Sequence, residues 1–323
     1  MGGVLARLRA RRVAPGRFVA WSAAALGALF VVVTSGAFVR LTASGLGCEN
    51  WPRCGDKPFP EQGFHAFVEF GNRLVALVGI VLTLVVWLAS RRVEGLPGRV
   101  RRLALAAFLG TVAQIPLGGV TVILDLHPLA VMSHFLLALG VVALAVLVAL
   151  EAWGHHRGTG PPVASRGWRV AATLGVPVCL AMVVTGAVVT ASGPHSGGED
   201  IRRLGVEVTD AVYVHVRASA VYGIGFLAIG WLLLRERRAA PGVARLGGVL
   251  LAVLLGQMAV GEIQYRNALP WGLVLVHVLL AAMIWTLTVA IAAALWRPPL
   301  PLVASPAHRA RASQQASPRA DAA

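Results

Sequence analysis

Two histidines occupy matching positions in two similar apolar stretches of the chain. His134 and His277 are 143 residues apart, and leucine and alanine follow each of them. The same offset aligns a glutamine and a glycine upstream of each histidine: Gln114 with Gln257, and Gly118 with Gly261. Apolar matches are frequent in so hydrophobic a chain, but a coincident Gln, Gly and His indicate an internal duplication. We therefore expect the function to depend on what the two histidines bind.

The 143-residue offset also pairs His215 with Asn72, so the second half has a histidine where the first half has an asparagine. Asn72, His134, His215 and His277 each lie in a predicted helix that enters the membrane from the same side. Each is about six residues inside its helix, which at ~1.5 Å per residue is roughly 9 Å below the boundary. Histidines that served only to pack the core would have no reason to lie at one depth. The shared depth therefore indicates that the two halves bind the same kind of ligand.

Facing histidines on two helices of a four-helix bundle are a common way to bind haem iron. We therefore predict haem, bound between the two histidines of the second half, His215 and His277. Haem propionates would point to the outer rim, where Arg217, Arg73 or Arg40 could pair with them. A metal centre of the His/carboxylate kind would need more ligands at that depth than the second half offers.

Long apolar segments place these residues in a membrane. The chain has 323 residues, of which 57% are hydrophobic and 13% charged, and its mean hydropathy is +0.73. Segments of roughly 20 apolar residues, the length that crosses a bilayer, predict eight helices: 18–39, 66–89, 103–124, 129–150, 168–191, 212–234, 244–263 and 271–296. The third and fourth could also form one kinked span through Asp125–Pro128. We expect an all-α polytopic membrane protein built as two repeated four-helix bundles.

The net charge of +15 reflects membrane topology rather than a nucleic-acid surface. Arginines cluster at the N-terminus, in every second loop and in the tail, whereas acidic residues cluster in the other loops. Because short basic loops stay in the cytoplasm, both termini are predicted to be cytoplasmic and the loop with Cys48 and Cys54 to be outside. His195, in the other large outer loop, is expected to face solvent. The first helix has no small-residue cleavage site, so we expect it to stay in the plasma membrane.

This topology divides the chain into five parts. They are a basic cytoplasmic N-terminus (1–17), a first four-helix half (18–150), a cytoplasmic linker (151–167), a second four-helix half (168–296) and a cytoplasmic tail (297–323). The tail is rich in Pro, Ala, Ser and Arg, which is typical of disorder. Each half therefore contains its own candidate histidine site.

Cys48 and Cys54 lie in the first outer loop, on the oxidising side of the membrane. Five residues separate them, and the glycines and proline around them allow the loop to turn tightly. A disulfide is therefore the favoured state. It could be a structural link or a redox-active pair, since exposed disulfides in small loops can be labile.

Polar residues mark one face of the second predicted helix. His65, Glu69 and Asn72 are spaced i, i+4 and i+7, so they share a face, and Arg73 lies beside them. A carboxylate inside a membrane span is costly and usually functional, so Glu69 is a candidate catalytic residue. The alternative is a Glu69 side chain that is solvated near the boundary or paired with Arg73.

These motifs together resemble the haem A synthases of the cytochrome oxidase assembly pathway. The resemblance covers about residues 18–296. It is carried by GLGCENWPRC in the first outer loop, EFGNR in the second helix, SHFLLA in the fourth, VHVRA in the sixth and QYRNALPWGLVLVH before and within the eighth. Any one of these motifs alone is weak, whereas together they are specific.

The resemblance implies an oxidoreductase that converts the C8 methyl of haem O to a formyl by successive hydroxylations. It implies haem b as the cofactor of the second half, bound by His215 and His277. It also implies that the first half binds the substrate haem beside His134 and Glu69. In the family the pair equivalent to Cys48 and Cys54 is associated with haem handling or electron transfer.

At Asn72 the chain departs from the family pattern, in which many members have a histidine just before the arginine. Asparagine is a poor iron ligand, so the haem of the first half is expected to be five-coordinate on His134. His65, two turns outward on the same face, is the alternative ligand for a haem nearer the surface. Asn72, His65 and Arg73 are thus assigned to the substrate site together with His134.

Two other functions remain open from the residues. A dihaem b-type, quinone-linked electron carrier would need histidine pairs in both halves and would not use the cysteine loop. A transporter built on a repeat would be expected to have spans broken at their centres by Gly or Pro. The expected partners of a haem A synthase are haem O, membrane lipid, haem O synthase and cytochrome oxidase assembly factors; no nucleic acid is expected, and a homo-oligomer is left open.

Overall fold

The structure is a computed structural model that describes residues 12–48, 51–56, 59–60, 63–195, 197–198 and 200–304. Within these ranges eight helices are long and apolar enough to cross a membrane. They are α1 (Pro15–Leu41), α2 (Phe64–Ser90), α3 (Gly98–Ile123), α4 (Pro128–Arg157), α5 (Arg166–Ser192), α6 (Val208–Arg235), α7 (Pro241–Arg266) and α8 (Trp271–Trp296). Each corresponds to one predicted segment, so the protein is an all-α polytopic membrane protein, as predicted.

A tight turn separates α3 from α4, so the two helices do not form one kinked span. Asp125 and Leu126 both have left-handed backbone conformations, with φ of 47° and 55°. The Leu126 amide donates to the carbonyl of Thr121 at 2.8 Å and closes the turn. Pro128 then begins α4, at a position where its missing N–H would have had no helical partner.

The turn between α7 and α8 has the same geometry. Ala268 and Leu269 have φ of 58° and 59°, and the Leu269 amide donates to the carbonyl of Gln264 at 2.8 Å. These residues lie 143 positions after their counterparts in the α3–α4 turn. The shared geometry supports the interpretation of a duplication, which stays a prediction.

Helices α1–α4, here called the first half, pack around a common centre. In this half α1 contacts α2 and α4, and α3 contacts the same two helices. Helices α5–α8, the second half, have the corresponding neighbours, because α5 contacts α6 and α8, and α7 contacts those two as well. Each half thus has an interior between its helices in which side chains from α2 and α4, or from α6 and α8, can meet.

Helix α8 joins the two halves and is the most buried of the eight described spans. It packs against α1 and α4 of the first half as well as against its own neighbours. Ile284, Trp285 and Val289 of α8 belong to one apolar core with Leu139 and Val142 of α4. Within this core the indole Nε1 of Trp285 donates to the carbonyl oxygen of Leu139 at 2.8 Å.

The linker is shorter than the predicted 151–167. Helix α4 continues to Arg157, so residues 151–157 belong to the helix, with His155 and His156 on its last turn. The continuation is stabilised at its end, because Nε2 of His155 lies 3.0 Å from the carbonyl oxygen of Glu94, which can only accept its hydrogen. The sequence placed the end of this helix too early, because the prediction followed apolar residues and the last turn is polar.

The prediction of disorder for the whole tail was wrong for its first residues. Pro298 and Pro299 are fully buried, and the amide of Gly160 donates to the Pro298 carbonyl at 2.8 Å. The amide of Ala304 in turn donates to the carbonyl of Ala239 at 2.8 Å. Apolar proline and leucine side chains here cover the linker and the start of α7, which composition alone did not reveal. The remaining tail (305–323) and residues 1–11 lie outside the described residues.

We expect Trp285→Phe to lower the free energy of unfolding by about 1–2 kcal/mol, because it removes a buried hydrogen bond between α8 and α4. Denaturant unfolding in detergent would measure the change. Trp296→Phe is the matched control, since Nε1 of Trp296 donates to Thr173 near the surface at 3.0 Å. Equal losses in the two variants would contradict the assigned role of Trp285.

Candidate functional site

The imidazole rings of His215 and His277 face each other inside the second half. His215 is on α6 and His277 is on α8, and their ring centres are 6.4 Å apart with the planes inclined at 72°. Both side chains are largely withdrawn from solvent. The sequence predicts one site for these two residues, and the structure brings them together. This pair is the second-half site.

The spacing of the two rings fits one iron atom between them. A metal–imidazole nitrogen bond is about 2.0 Å long and the ring centre lies about 1 Å beyond the nitrogen, so two opposed ligands have centres about 6 Å apart. The observed 6.4 Å agrees with that value. In the described part of the chain, no three His, Cys, Asp or Glu side chains are grouped closely enough to hold a bare metal ion. The donor set is thus one suited to haem, whose own nitrogens supply the remaining ligands.

The backbone of α5 sets the orientation of the His215 ring. Its Nδ1 lies 3.1 Å from the carbonyl oxygen of Met182 and 3.1 Å from the hydroxyl of Thr185. A carbonyl can only accept a hydrogen bond, so Nδ1 carries the ring hydrogen and Nε2 keeps its lone pair. The Thr185 hydroxyl donates to the same carbonyl at 2.7 Å. Histidines that bind metals commonly have such a partner on the nitrogen that does not bind.

Glycine allows both rings to lie directly against the neighbouring helix. A Cβ at Gly186 would lie 3.0 Å from Cε1 of His215, and a Cβ at Gly261 would lie 3.2 Å from Cε1 of His277. Both distances are shorter than ordinary carbon–carbon contacts of about 3.5–4.0 Å. Any side chain at these positions would therefore displace the ring or the helix. The sequence offset identified Gly261, but its contact with the ring is visible only in the structure.

His134 has a similar environment in the first half. Its ring on α4 lies against Gly118 of α3, where a Cβ would be 3.3 Å from Cε1. The side-chain amide of Gln114 donates to the His134 carbonyl at 3.2 Å. Among the described residues, Nδ1 of His134 is buried without a hydrogen-bond partner, and the same holds for His277. Gln114 and Gly118 are one turn apart, so one face of α3 holds the histidine.

Asn72 lies at the position in α2 that corresponds to His215 in α6. Its Oδ1 accepts a hydrogen bond from the hydroxyl of Ser35 on α1 at 2.7 Å. Gly36 follows Ser35, and a Cβ there would lie 3.9 Å from the same oxygen. Asn72 and His134, at the positions that correspond to His215 and His277, are here called the first-half site. Sequence analysis named both but did not identify Ser35.

Glu69 is buried, with 5% of its surface exposed, one turn before Asn72 and Arg73. Its Oε1 pairs with the guanidinium of Arg73 at 2.5 Å, and its Oε2 accepts a hydrogen bond from the amide of Cys48 at 2.8 Å. Both carboxylate oxygens are therefore occupied. The pairing with Arg73 that the sequence left open is present, and the contact with Cys48 was not foreseen.

The described residues of the loop between α1 and α2, here called the cysteine loop, contact α2 and α3 of the first half. The predicted disulfide between Cys48 and Cys54 is present, with Cα atoms 4.6 Å apart. Arg73 donates to the carbonyls of Pro52 and Arg53, both at 2.9 Å. The ring of Trp51 lies against α3 at the glycine after Gly118, where a Cβ would come within 2.8 Å of it. The loop is thus attached to α2 and α3 beside the first-half site.

Two predicted site residues lie away from the facing side chains. His65 is exposed at the first turn of α2, where Nδ1 is 2.9 Å from the hydroxyl of Ser44. Arg217 is exposed on α6, with its guanidinium over the ring of Tyr213, 2.9 Å from the ring centre. Their assignments to the substrate haem and to a propionate stay predictions.

The expectation that His195 faces solvent was wrong. The side chain is half-buried, and its Nε2 donates to the carbonyl oxygen of Leu269 at 2.6 Å. Its own carbonyl accepts from Nε of Arg40 at 2.8 Å, and Arg40 also donates to the carbonyl of Thr190 at 2.8 Å. Arg40 and His195 therefore connect the end of α1 to α5 and to the α7–α8 turn. These are backbone contacts between distant segments, for which residue type carries no signal.

Comparison with known proteins places similar sequences over most of the chain. Residues 19–289 match the profile of the COX15-CtaA family, described as cytochrome oxidase assembly protein. A protein named Heme A synthase from Symbiobacterium thermophilum is 35% identical over 125 residues, which cover 38% of this chain and 40% of that protein. Another of that name, from Shouchella clausii, is 25% identical over 279 residues, which cover 81% of this chain and 91% of that protein.

The fraction of each relative's length that aligns with this chain differs from one relative to another. The chain spans 39% of a Geobacillus kaustophilus protein named Heme A synthase, at 30% identity over 130 residues. It thus spans about two fifths of the length of the relatives to which it is 30% identical or more.

We expect Gly186→Ala to displace His215 and to abolish the low-spin haem absorption of the purified protein, because the added Cβ meets the ring at 3.0 Å. Gly175→Ala is the matched control on the same helix, since a Cβ there meets nothing within 4 Å. The control should fold at least as well as the wild type, because alanine favours a helix over glycine by about 1 kcal/mol. A normal haem spectrum in Gly186→Ala would show that this contact does not hold the ring.

Proposed function

Since the chain belongs to the cytochrome oxidase assembly protein family, we propose that it is a haem A synthase. Its reaction is the oxidation of the C8 methyl of haem O to a formyl group, through successive hydroxylations. The observation that carries this proposal is the pair His215 and His277, whose spacing fits haem iron inside a membrane bundle. The relatives named Heme A synthase support the same activity.

The second-half site is proposed to bind haem b as a cofactor. His215 and His277 would hold its iron through their imidazoles, and Arg217 is the candidate partner of a propionate. A haem bound there supplies one-electron redox chemistry. The protein contributes the fixed tautomer of His215, through the Met182 carbonyl, and an apolar interior that excludes water.

The first-half site is proposed to bind the substrate haem O. His134 binds its iron, and Asn72, Arg73 and His65 border the site from α2. The cysteine loop covers this half through Trp51 and through the bonds of Arg73 to its carbonyls, so it limits the access of water. The unequal sites argue against a dihaem electron carrier, because Asn72 stands where such a carrier would need its fourth histidine.

Glu69 is proposed to hold or move a proton near the reacting methyl. It is the buried carboxylate nearest in sequence to Asn72, one turn away on α2. Its bonds to Cys48 and Arg73 also make it an anchor for the cysteine loop. The two roles require different properties of the side chain. An anchor needs a hydrogen-bond acceptor, whereas a proton carrier needs an ionisable group.

The surroundings of the enzyme follow from the same proposal. Eight apolar helices make it a multi-pass membrane protein, and we propose the plasma membrane, with both termini cytoplasmic and the cysteine loop outside. The five-part division of the chain is proposed on the same basis. Haem O synthase and cytochrome oxidase assembly factors are the proposed partners that deliver the substrate and accept the product.

We expect co-expression of the full chain with a haem O source to yield haem A in the membranes, as measured by haem extraction and chromatography. His215→Ala and His277→Ala should each remove the low-spin b-type spectrum and abolish haem A, because one axial ligand is lost. Haem O that persists unchanged beside correctly folded wild-type protein would contradict the proposed activity. A full low-spin spectrum in either variant would contradict the ligand assignment.

We expect Glu69→Gln to leave the b-type haem bound while haem O or a hydroxylated intermediate accumulates. Glutamine cannot ionise, and it keeps the acceptor for the Cys48 amide while losing the one for Arg73, so the variant removes the ionisable group and retains the Cys48 part of the anchor. The matched control is Glu262→Gln, which changes another i, i+4 pair with arginine, at 2.5 Å, on the exposed side of α7. Normal haem A yield from Glu69→Gln would reduce Glu69 to an anchor of the loop.

A further inference from the structure

Asn72 and His215 are contacted from corresponding positions on the preceding helix. Each is contacted by a hydroxyl residue that is followed by a glycine: Ser35 and Gly36 on α1, and Thr185 and Gly186 on α5. The contact to Asn72 is 2.7 Å long and the contact to His215 is 3.1 Å long. The two side chains thus occupy the same place in their halves.

The hydrogen bonds at these two positions differ in direction. His215 donates from Nδ1 and keeps a lone pair on Nε2, whereas Asn72 accepts at Oδ1 from the Ser35 hydroxyl. The Ser35 hydroxyl also lies 3.0 Å from the carbonyl oxygen of Val32 in its own helix, and we assign its hydrogen to the shorter contact, the one of 2.7 Å with Oδ1. The free end of the Asn72 amide is then Nδ2, which has no hydrogen-bond partner among the described residues. An amide nitrogen donates two hydrogens and offers no lone pair to a metal.

We propose that a haem bound through His134 has its opposite axial position open, and that Asn72 donates a hydrogen bond from Nδ2 to a small diatomic ligand there. Ser35 is the positioning residue that fixes the amide. The proposal rests on the proposed function, because it takes the first half to bind the substrate haem. It assigns Asn72 a role other than iron ligation.

A small ligand would then bind to the haem of the first half but not to the haem of the second half. A haem held by both histidines of the second-half site would offer no open position to a small ligand. The first-half site has one histidine and one donor, and donors on the open side of a haem decide how a bound ligand is polarised. A donor that is already held in place loses little conformational freedom when it binds, because the bond to Ser35 restricts its rotation.

Carbon monoxide is the probe that tests this arrangement. Purified full-length protein in detergent would be loaded with haem O, reduced and exposed to carbon monoxide, and then measured by absorption and infrared spectroscopy. We expect one haem to bind the gas and the second-half haem to keep its low-spin spectrum. His134→Ala should lose the gas-binding fraction. Two low-spin haems without a carbon monoxide adduct in the wild type would overturn the proposal.

Two substitutions of Asn72 test the donor. Asn72→Leu should still bind the gas but raise the C–O stretching frequency, because the polarising hydrogen bond is gone. Asn72→His should lose gas binding and gain a second low-spin spectrum. An unchanged frequency in Asn72→Leu would overturn the donor role, and a lower frequency would also overturn it by indicating that the amide oxygen faces the ligand. The low-spin spectrum of the second-half haem reports correct folding in each variant.

Ser35→Ala tests the positioning residue. We expect a second C–O band at higher frequency, because the released amide adopts more than one orientation. Thr34→Val is the matched control, since within the described residues the Thr34 hydroxyl bonds only to the carbonyl of Phe30, at 2.8 Å. It should keep the single wild-type band. A single wild-type band in Ser35→Ala would overturn its role. Haem A formation is measured separately, so a chain that makes no haem A yet shows these bands would refute only the proposed activity.

Discussion

The close approach of imidazole rings to a neighbouring helix is the constraint on which the candidate sites depend. Between packed helices a ring finds room only where the facing residue has no Cβ, and Gly118, Gly186 and Gly261 meet this condition. Small residues serve membrane helices elsewhere by bringing backbones together. Here they make space for a polar ring, while the backbone carbonyl of Met182 satisfies the nitrogen of His215 that faces the helix. The positions of the glycines thus determine where the histidines can point.

A second constraint acts where the cysteine loop contacts α2 of the first half. The paired charges of Glu69 and Arg73 lie within a span, where unpaired charges are costly. Their remaining bonding capacity is used by the amide of Cys48 and by carbonyls of the cysteine loop. A buried ion pair adds little stability by itself. Its effect here is positional, because it holds an irregular loop over the bundle and leaves neither charge without partners.

The sequence predicted the eight helices because length and apolar content suffice for spans in a bilayer. It also predicted the His215–His277 pair, since both histidines lie at one depth. It did not predict the contacts of Ser35, because hydroxyl residues in helices usually bond to their own backbone. The bonds of Arg40 and His195 were missed for another reason: their acceptors are main-chain carbonyls, which are the same for every residue type. The order at Pro298 and Pro299 escaped prediction because burial there depends on which surface lies beneath the chain.

The left-handed turns before α4 and α8 determine the rotational register of the histidine helices. Each turn has two residues with positive φ and ends in a hydrogen bond back to the preceding helix. An added residue in such a turn would rotate the following helix by about 100°, since an α-helix has 3.6 residues per turn. His134 or His277 would then leave its glycine and face another helix or the lipid. The turns therefore tolerate changes of side chain, as Asp125 and Ala268 illustrate, but not changes of length.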